Sequence, residues 1–311
     1  MILIVTYKED YTADFLINRL NEEGKKYLRL NTEDIEKYTY WNSSDFNFSF
    51  EVNGVSDFDG VWYRRLRLPE FSGDTITSSY LATEYDALFT NMFRNIRATR
   101  WLSHPDALQR AENKVTQLKL ASDLGFNLPE TLITNDRRHL RDFSENHKNE
   151  GLIIKPLFSG RMESEDQLQL IYTNELSLDH VKSIEQYDLT PCIFQRKVPK
   201  QYELRVTIVD TQVFACRVNS QEHEKTKVDW RREKLPFAPY DLPPDISAKC
   251  VTFVKSLDTS FGAIDLIKST DGKYYFLENN PNGQWAWLEI ETGAPITRAI
   301  IDFLYGQKQS R

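Results

Sequence analysis

The stretch that decides the fold is YYFLENNPNGQWAWLE, from Tyr274 to Glu289. Its first half has the aromatic and apolar residues of a buried strand, and then Glu278, Asn279 and Asn280 arrive together. A Pro-Asn-Gly turn and two tryptophans follow. Just upstream, FGAIDLI and the turn residues Asp271-Gly272 complete a hairpin. Through that turn, Asp265 on one strand can approach Glu278 and Asn280 on the other. Residues 278 and 280 share a strand face because side chains alternate with a period of two. Two carboxylates and an amide oxygen on one face are hard oxygen donors, suited to Mg²⁺ on phosphates. Asn279, on the other face by the same period, reads as structural. The competing reading of Asp265 alone is a solvated acid on a surface hairpin.

Working outward, the 311 residues exceed one ordinary domain, and 40% hydrophobic content with 27% charged residues is ordinary for a globular chain. Eighteen Phe, fifteen Tyr and six Trp argue against disorder. A net charge of -7 gives no general attraction to nucleic acid or to an acidic membrane. Any anionic ligand must then be met by a local basic cluster. The three cysteines, Cys192, Cys216 and Cys250, fit neither a disulfide framework nor a CxxC metal site and read as reduced thiols. MILIVTYKEDY is too short and too charged for a signal peptide, and no stretch reaches a membrane-spanning length. A cytoplasmic protein is expected.

The N-terminus alternates strand, helix and strand: Ile2–Thr6, Thr12–Glu23 and Tyr27–Leu30. Phe46–Val52 reads as a strand with Val55–Phe58 as its hairpin partner, Gly60–Arg65 as another strand, and Ser79–Trp101 as a long helix. A second helix is expected over Ala107–Leu124, closed by Gly125. Glu130–Thr134, Gly151–Pro156, Leu168–Tyr172 and Cys192–Arg196 read as strands, with a polar helix between the first two and another near Ser177–Gln186. From Tyr202 the pattern is antiparallel, YELRVTIV turning at Asp210-Thr211 into QVFACRV. Helices are expected at Pro244–Leu257 and Pro295–Tyr305. The fold class is mixed α/β (α+β).

DLI followed by FLENN resembles the metal end of the ATP-grasp ligases, and other parts of that pattern stand upstream in order. The resemblance implies an ATP-grasp fold with an N-terminal pre-ATP-grasp α/β domain, divided as 1–105, 106–190 and 191–311. It implies ATP and two Mg²⁺ ions, with Asp265, Glu278 and Asn280 as metal ligands. Lys114, after Asn113, and Lys155, in GLIIKP, match the two nucleotide lysines. Ser159 and Gly160 would belong to the loop over the phosphates, which is poorer in glycine here than in the family. Gln195, Lys197 and Val198 fall on the hinge that meets adenine, Glu203 sits by the ribose, and Asn279 counts with the nucleotide set.

Arg205 in ELRV and Arg217 in FACRV lie on adjacent antiparallel strands and are expected to converge on the transferred phosphoryl group. Each alone could equally be a surface cation. No GxSxG or HExxH motif competes.

GVWYRR at Gly60–Arg65 and the ENNPNGQWAWLE tail resemble the microviridin-type (graspetide) ATP-grasp ligases, over essentially the whole chain. That family crosslinks precursor peptides. A core Asp or Glu becomes an acyl phosphate, attacked by a Thr or Ser hydroxyl to give an ester or by a Lys amine to give an amide. The partner implied is a precursor with a leader and an acidic core, and the family also allows a homodimer. Asp229, Arg231 and Arg232 in VDWRR would receive the core carboxylate, Asp229 either orienting a guanidinium or assisting deprotonation. A solvated charged loop is the alternative for this segment. Trp285 and Trp287 either pack the last helix or wall the groove. Arg64 and Arg65 read as structural or interface residues. The rival functions are an ATP-grasp ligase adding a free amino acid, as the ribosomal-protein glutamate ligases do, an ATP-grasp kinase, and a peptide-binding module without activity.

Overall fold

A computed structural model describes residues 1–158, 161–163, 168–183 and 191–306. The chain opens on Ile2–Thr6, five buried and mostly β-branched residues. This strand runs parallel to and between Tyr27–Asn31 and Gly60–Tyr63. Such a central strand, apolar on both faces, needs cover on both sides. The helix Tyr11–Glu22 supplies one cover. Asp10 caps it by accepting the Thr12 and Ala13 N–H groups, and Ala13, Leu16, Ile17 and Leu20 form its buried stripe. The last helix, Ile296–Tyr305, supplies more of it. A Cβ at Gly60 would lie 2.5 Å from the Leu304 carbonyl oxygen, so only glycine permits this approach.

Several elements of this region differ from the sequence reading. Phe46–Val52 is not one strand: Ser44–Phe46 is a 3₁₀ turn, and only Glu51–Val52 pairs, with Tyr40–Trp41. Asn47 and Phe48 both have positive φ, which a strand cannot contain. The expected hairpin is reduced to one antiparallel bridge, Val52 with Val55 across Asn53-Gly54, and Asp57–Phe58 pairs in parallel with Arg97–Ala98. That pairing also ends the long helix early. It spans Thr75–Met92, starting where Asp74 accepts the Thr77 N–H. Ala107–Leu124 is two helices, Pro105–Ala111 and Lys114–Asp123, because Asn113 caps the second through the Thr116 N–H.

An antiparallel sheet follows in the order Asn174–Leu176, Leu152–Pro156, Cys192–Arg196, Thr131–Ile133. Cys192–Arg196 is therefore an inner strand of this central sheet. Arg137–Asn146 packs Leu140 onto it. Arg161–Glu163 pairs with Leu168–Leu170. The expected helix at Ser177–Gln186 is described only as Leu178–Lys182, since 184–186 lie outside the described residues.

The third sheet has five antiparallel strands: Phe237–Pro239, Gln212–Val218, Lys200–Val209, Phe261–Ser269 and Tyr274–Asn280. Leu204, Val206, Ile208, Ile264, Leu266 and Phe276 make one face apolar, and helix Pro244–Ser256 covers it with Ile246, Cys250, Phe253 and Val254. The opposite face is mixed. Cys216, Val218 and Ala263 pack against Trp285 and the final helices, while acids and arginines occupy the rest. Trp285 is fully buried and precedes a helix, Ala286–Thr292, that the sequence reading lacked. All three cysteines are free and buried, and no helix among the described residues is long and apolar enough to cross a membrane.

Candidate active site

The hairpin Phe261–Asn280 sets the centre of the site. Asp265 pairs directly with Glu278, and Ala263 with Asn280. Between these pairs and the turn the register slips at Asp265/Leu266, where Leu266 faces Phe276. Leu277 is the extra residue, and such a bulge turns two consecutive side chains to the same side. Leu277 and Glu278 both line the cavity in front of the sheet. Had the turn's register continued unbroken, Glu278 would point into the helix-covered core. The bulge gives Asp265, Glu278 and Asn280 one face.

Cations converge on this face from three elements. Lys114, the first residue of its helix, places Nζ 3.2 Å from Glu278 Oε2 and also donates to the Pro156 carbonyl. Arg205, directly opposite Asp265 on the neighbouring strand, holds both Asp265 carboxylate oxygens from Nη1 at 3.0 Å. Lys155 is buried on the central sheet; burial, helped by Lys114 and Arg231, pulls its pKa down to about 8 against the pull of Glu278 and Asp265. Burial would raise Glu278, but Lys114, Lys155 and Arg231 outweigh it and hold that carboxyl at about 2. Asp265 moves the other way, raised by burial and by Glu278 despite Arg205. The two acids thus differ in their readiness to ionise. Behind them, Lys200 bridges Glu203 at 3.0 Å and the Val228 carbonyl at 2.9 Å, and burial raises Glu203.

Lys114, Lys155, Gln195, Lys197, Val198, Glu203, Asp229, Arg231, Asp265 and Glu278 all line one cavity between the central and five-stranded sheets. Ile153, Ile171, Ile267 and Leu277 give it apolar walls. Gln195 is fully buried there, and its amide orientation follows from its neighbour. Thr131 Oγ1 donates its proton to the Pro129 carbonyl (2.8 Å), so it can only accept from Gln195 Nε2 (2.9 Å). The Gln195 carbonyl oxygen is left buried without a partner among the described residues. Lys197 is less free. Its side chain pairs with Glu175 and its backbone N–H with the Gly151 carbonyl. Ser159 and Gly160 lie outside the described residues.

The 229–232 loop divides its roles. Asp229 is buried and accepts four hydrogen bonds: from Arg231 N and Nε on one oxygen, and from Arg231 Nη2 and Thr173 N on the other. A carboxylate has about four acceptor positions, so all are taken. Burial raises its pKa, but the bonds from Arg231 and Thr173 bring it below the ordinary value. Of the two roles expected for Asp229, orienting Arg231 fits this geometry and deprotonation does not. Arg231, charged throughout the ordinary pH range, borders both the first cavity and a second one beside it. Arg232 faces away, holding the Thr173 carbonyl (2.9 Å) and Asn174 Oδ1 (2.6 Å), and so anchors the loop to the central sheet.

Two expectations are corrected by strand register. Arg217 does not converge with Arg205. The two-residue turn that pairs Val209 with Gln212 sets Arg205 opposite Cys216 and Arg217 opposite Leu204. Opposed residues share a face, so the two arginines are on opposite faces, and Arg217 lies 5.2 Å over the Tyr202 ring. Asn279 likewise does not line the first cavity. It is buried beneath helix Pro244–Ser256, close enough that a Cβ at Gly262 would sit 2.6 Å from its Oδ1, while Gln117 brackets its backbone N–H and carbonyl at 2.8 Å.

The second cavity shares Trp230, Arg231, Asp265 and Glu278 with the first and adds Arg65, Arg205, Asn280, Gln284 and Trp287. Trp230, Phe237 and Trp287 form its aromatic wall, with ring centroids 5.0–6.0 Å apart. Gln284 and Arg65 were not expected there, nor Lys200 in the first cavity, and Trp230 was expected only as part of the VDWRR segment. The adjacency of Trp230 to the basic loop was the one local hint. Lys200 lies three residues before Glu203, a spacing that needed the irregular strand start to be read.

Residues 1–109 match the family model described as the MvdD pre-ATP grasp domain. No curated protein matches by sequence. Among solved structures the chain is similar to a Chryseobacterium gregarium RiPP-associated ATP-grasp ligase in complex with ADP and a leader and core peptide. The identity is 26% and the TM-score 0.88, covering 99% of this chain and 97% of that one. It is similar to the macrocyclase MdnC of Microcystis aeruginosa MRC, bound with precursor peptide MdnA, at 27% identity and TM-score 0.85, covering 99% and 100%. The macrocyclase MdnB of the same organism matches at 27% identity and TM-score 0.77, covering 97% and 98%.

Proposed function

We propose that this chain is an ATP-grasp ligase of the kind associated with ribosomally made, modified peptides, and that it closes side-chain rings in a precursor peptide of the microviridin type. The observation that carries the reading is the Asp265–Glu278 pair, ringed by Lys114, Lys155, Arg205 and Arg231 where two cavities meet. The first cavity would take ATP. Gln195 would accept from the adenine 6-amino group, Glu203 would meet the ribose, and the two lysines would meet the phosphates. The second would take the peptide. The three-part division stands as proposed, with the middle unit extended through Arg196.

The donor set fits magnesium: two carboxylates and the Asn280 amide oxygen on one face, all hard oxygens. Among the described residues no group of three His, Cys, Asp or Glu gathers, so Asn280 and the nucleotide would complete the ligand sphere of two ions. Magnesium supplies neutralisation of the phosphate charge when bound. Around it, Arg231, oriented by Asp229 through Nε and Nη2, would bind a core Asp or Glu with its remaining Nη hydrogens and aim one oxygen at the γ-phosphorus. That oxygen forms the new P–O bond, the bond to the β-phosphate oxygen breaks, and ADP leaves. Lys114, Lys155 and Arg205 would stabilise the charge on the transferred group. A Thr or Ser hydroxyl, or a Lys amine, then attacks the acyl carbon; inorganic phosphate leaves with the carboxyl oxygen and the attacking group loses its proton to solvent.

A peptide substrate, made and held in the cytoplasm, agrees with three free buried thiols. A homodimer is part of the same proposal. The test is to incubate the protein with ATP, magnesium and a precursor from a neighbouring reading frame, then weigh the product. Loss of one water mass per ring supports ring closure. A gain of phosphate mass would indicate a kinase, and a gain of an amino acid residue a free-amino-acid ligase.

A further inference from the structure

Arg65 leaves the strand Gly60–Tyr63 at the carboxyl end of a parallel sheet, the edge where open α/β sheets present ligand-binding residues. Its neighbour is fixed. Arg64 is buried, bonded to Asp10 at 2.5 and 3.1 Å, and lies 4.7 Å over the Trp62 ring. Trp62 in turn meets Trp285, whose ring centroid is 6.2 Å away, and Gly60 rests on the Leu304 carbonyl. The backbone that presents Arg65 is thereby tied to the segment that carries Gln284 and Trp287. The groove between them has one wall from each end of the chain.

Within that groove the other guanidinium groups are engaged. Arg205 holds Asp265 and Arg231 holds Asp229. Of the acids, Glu278 is held by Lys114 and Glu291 by the Phe237 N–H, while Glu233, next to Lys234, lines the groove as an exposed carboxylate. Arg65 is partly buried, lines the groove, and makes no hydrogen bond or ion pair with the described residues. A guanidinium carries five donors in a planar fork matched to a carboxylate; Glu112 is near enough to feel the charge of Arg65, but it takes none of those donors.

We propose that Arg65 is a second carboxylate subsite: it binds an acidic side chain of the acceptor peptide other than the one being activated, so that the N-terminal sheet takes part in choosing which acid enters the reaction centre. This rests on the peptide-ligase reading. Arg65 is a positioning residue here, since it touches the peptide away from the reacting atoms.

The test uses short synthetic probes with magnesium and ADP present: N-acetyl-glutamate amide, and capped peptides with two glutamates separated by one to four threonines. Saturation-transfer NMR reads their affinities, which are expected to be weak. In the wild type the best two-glutamate probe should bind about tenfold more tightly than the single glutamate. Arg65→Gln should collapse that ratio to about one while leaving single-glutamate and ADP binding unchanged, and Arg65→Lys should keep part of it. A ratio preserved in Arg65→Gln, or a ratio of one in the wild type, overturns the subsite and leaves the ligase reading standing. Wild-type protein that binds ADP but neither class of probe overturns both.

Discussion

Two hairpins of the same sheet carry charged residues that the sequence alone brings together, and the fold treats them oppositely. In the hairpin Lys200–Val218 the register between the two strands is unbroken, and it sends Arg205 and Arg217 to opposite faces. In the hairpin Phe261–Asn280 one bulged residue intervenes, and it brings Asp265, Glu278 and Asn280 onto one face. Both turns are short and both strands alternate well. Proximity in a hairpin is therefore decided by counting partners across the turn and by bulges, and not by residue type. A functional pair can depend on a single extra residue such as Leu277.

The largest effect should fall on the face that the bulge creates. Asp265→Asn and Glu278→Gln keep shape and lose charge, and each should lower ATP-dependent product formation on the order of a thousandfold while the fold melts within a few degrees of wild type. Full activity in either would mean that the bulge serves packing alone. Arg205→Gln should follow, with a loss on the order of a hundredfold, because it orients Asp265 and, in the proposed reaction, would face the transferred phosphoryl group. Product mass and thermal melting on the same samples check both.

Two glycines sharpen the contrast between the faces. A Cβ at Gly262 would lie 2.6 Å from both Asn279 Oδ1 and Val254 Cγ2, on the core side. One at Gly283 would lie 2.7 Å from Ala263 Cβ and 2.9 Å from Arg205 Nη2, on the site side. Gly262→Ala should cost about 1–3 kcal/mol of stability with near-normal activity per folded molecule. Gly283→Ala should displace Arg205 and lower activity about tenfold at smaller cost in stability. If the two substitutions have interchanged effects, the assignment of faces is wrong.

Legibility in the sequence followed the same division. The strands Ile2–Thr6, Lys200–Val209 and those of Phe261–Asn280, and the helices near 11–22, 244–256 and 296–305, were readable because each is a local pattern. Lys114 and Lys155, by contrast, were singled out only through the family resemblance. The Ala107–Leu124 helix was overextended because Asn113 inside a helical pattern gives no sign, by itself, that it caps. Helix Ala286–Thr292 went unread because Trp285 and Trp287 look like strand alternation, although Trp285 belongs to the core and Trp287 to the groove wall. Arg65 and Gln284 come from distant parts of the chain and meet only through the Trp62–Trp285 packing. The engaged state of Asp229 depends on Thr173, far away in sequence, and could not be counted before the sheets were in place.

The smallest expected effect is the most discriminating. Arg217 sits over the ring of Tyr202, whose hydroxyl is hydrogen-bonded to Tyr240 at 3.0 Å, and that whole group lies on the helix-covered side of the sheet. Replacing it by glutamine removes a partly exposed cation–π contact, about 0.5–1 kcal/mol, and no contact with the reaction centre. Arg217→Gln should therefore leave nucleotide turnover within about twofold of wild type, in direct contrast to the same substitution at Arg205. Steady-state kinetics on the matched pair measure the difference between two arginines whose strands are neighbours and whose faces are not. A loss at Arg217 as deep as that at Arg205 would require both guanidiniums at one anionic centre, which the pairing of Leu204 with Arg217 forbids.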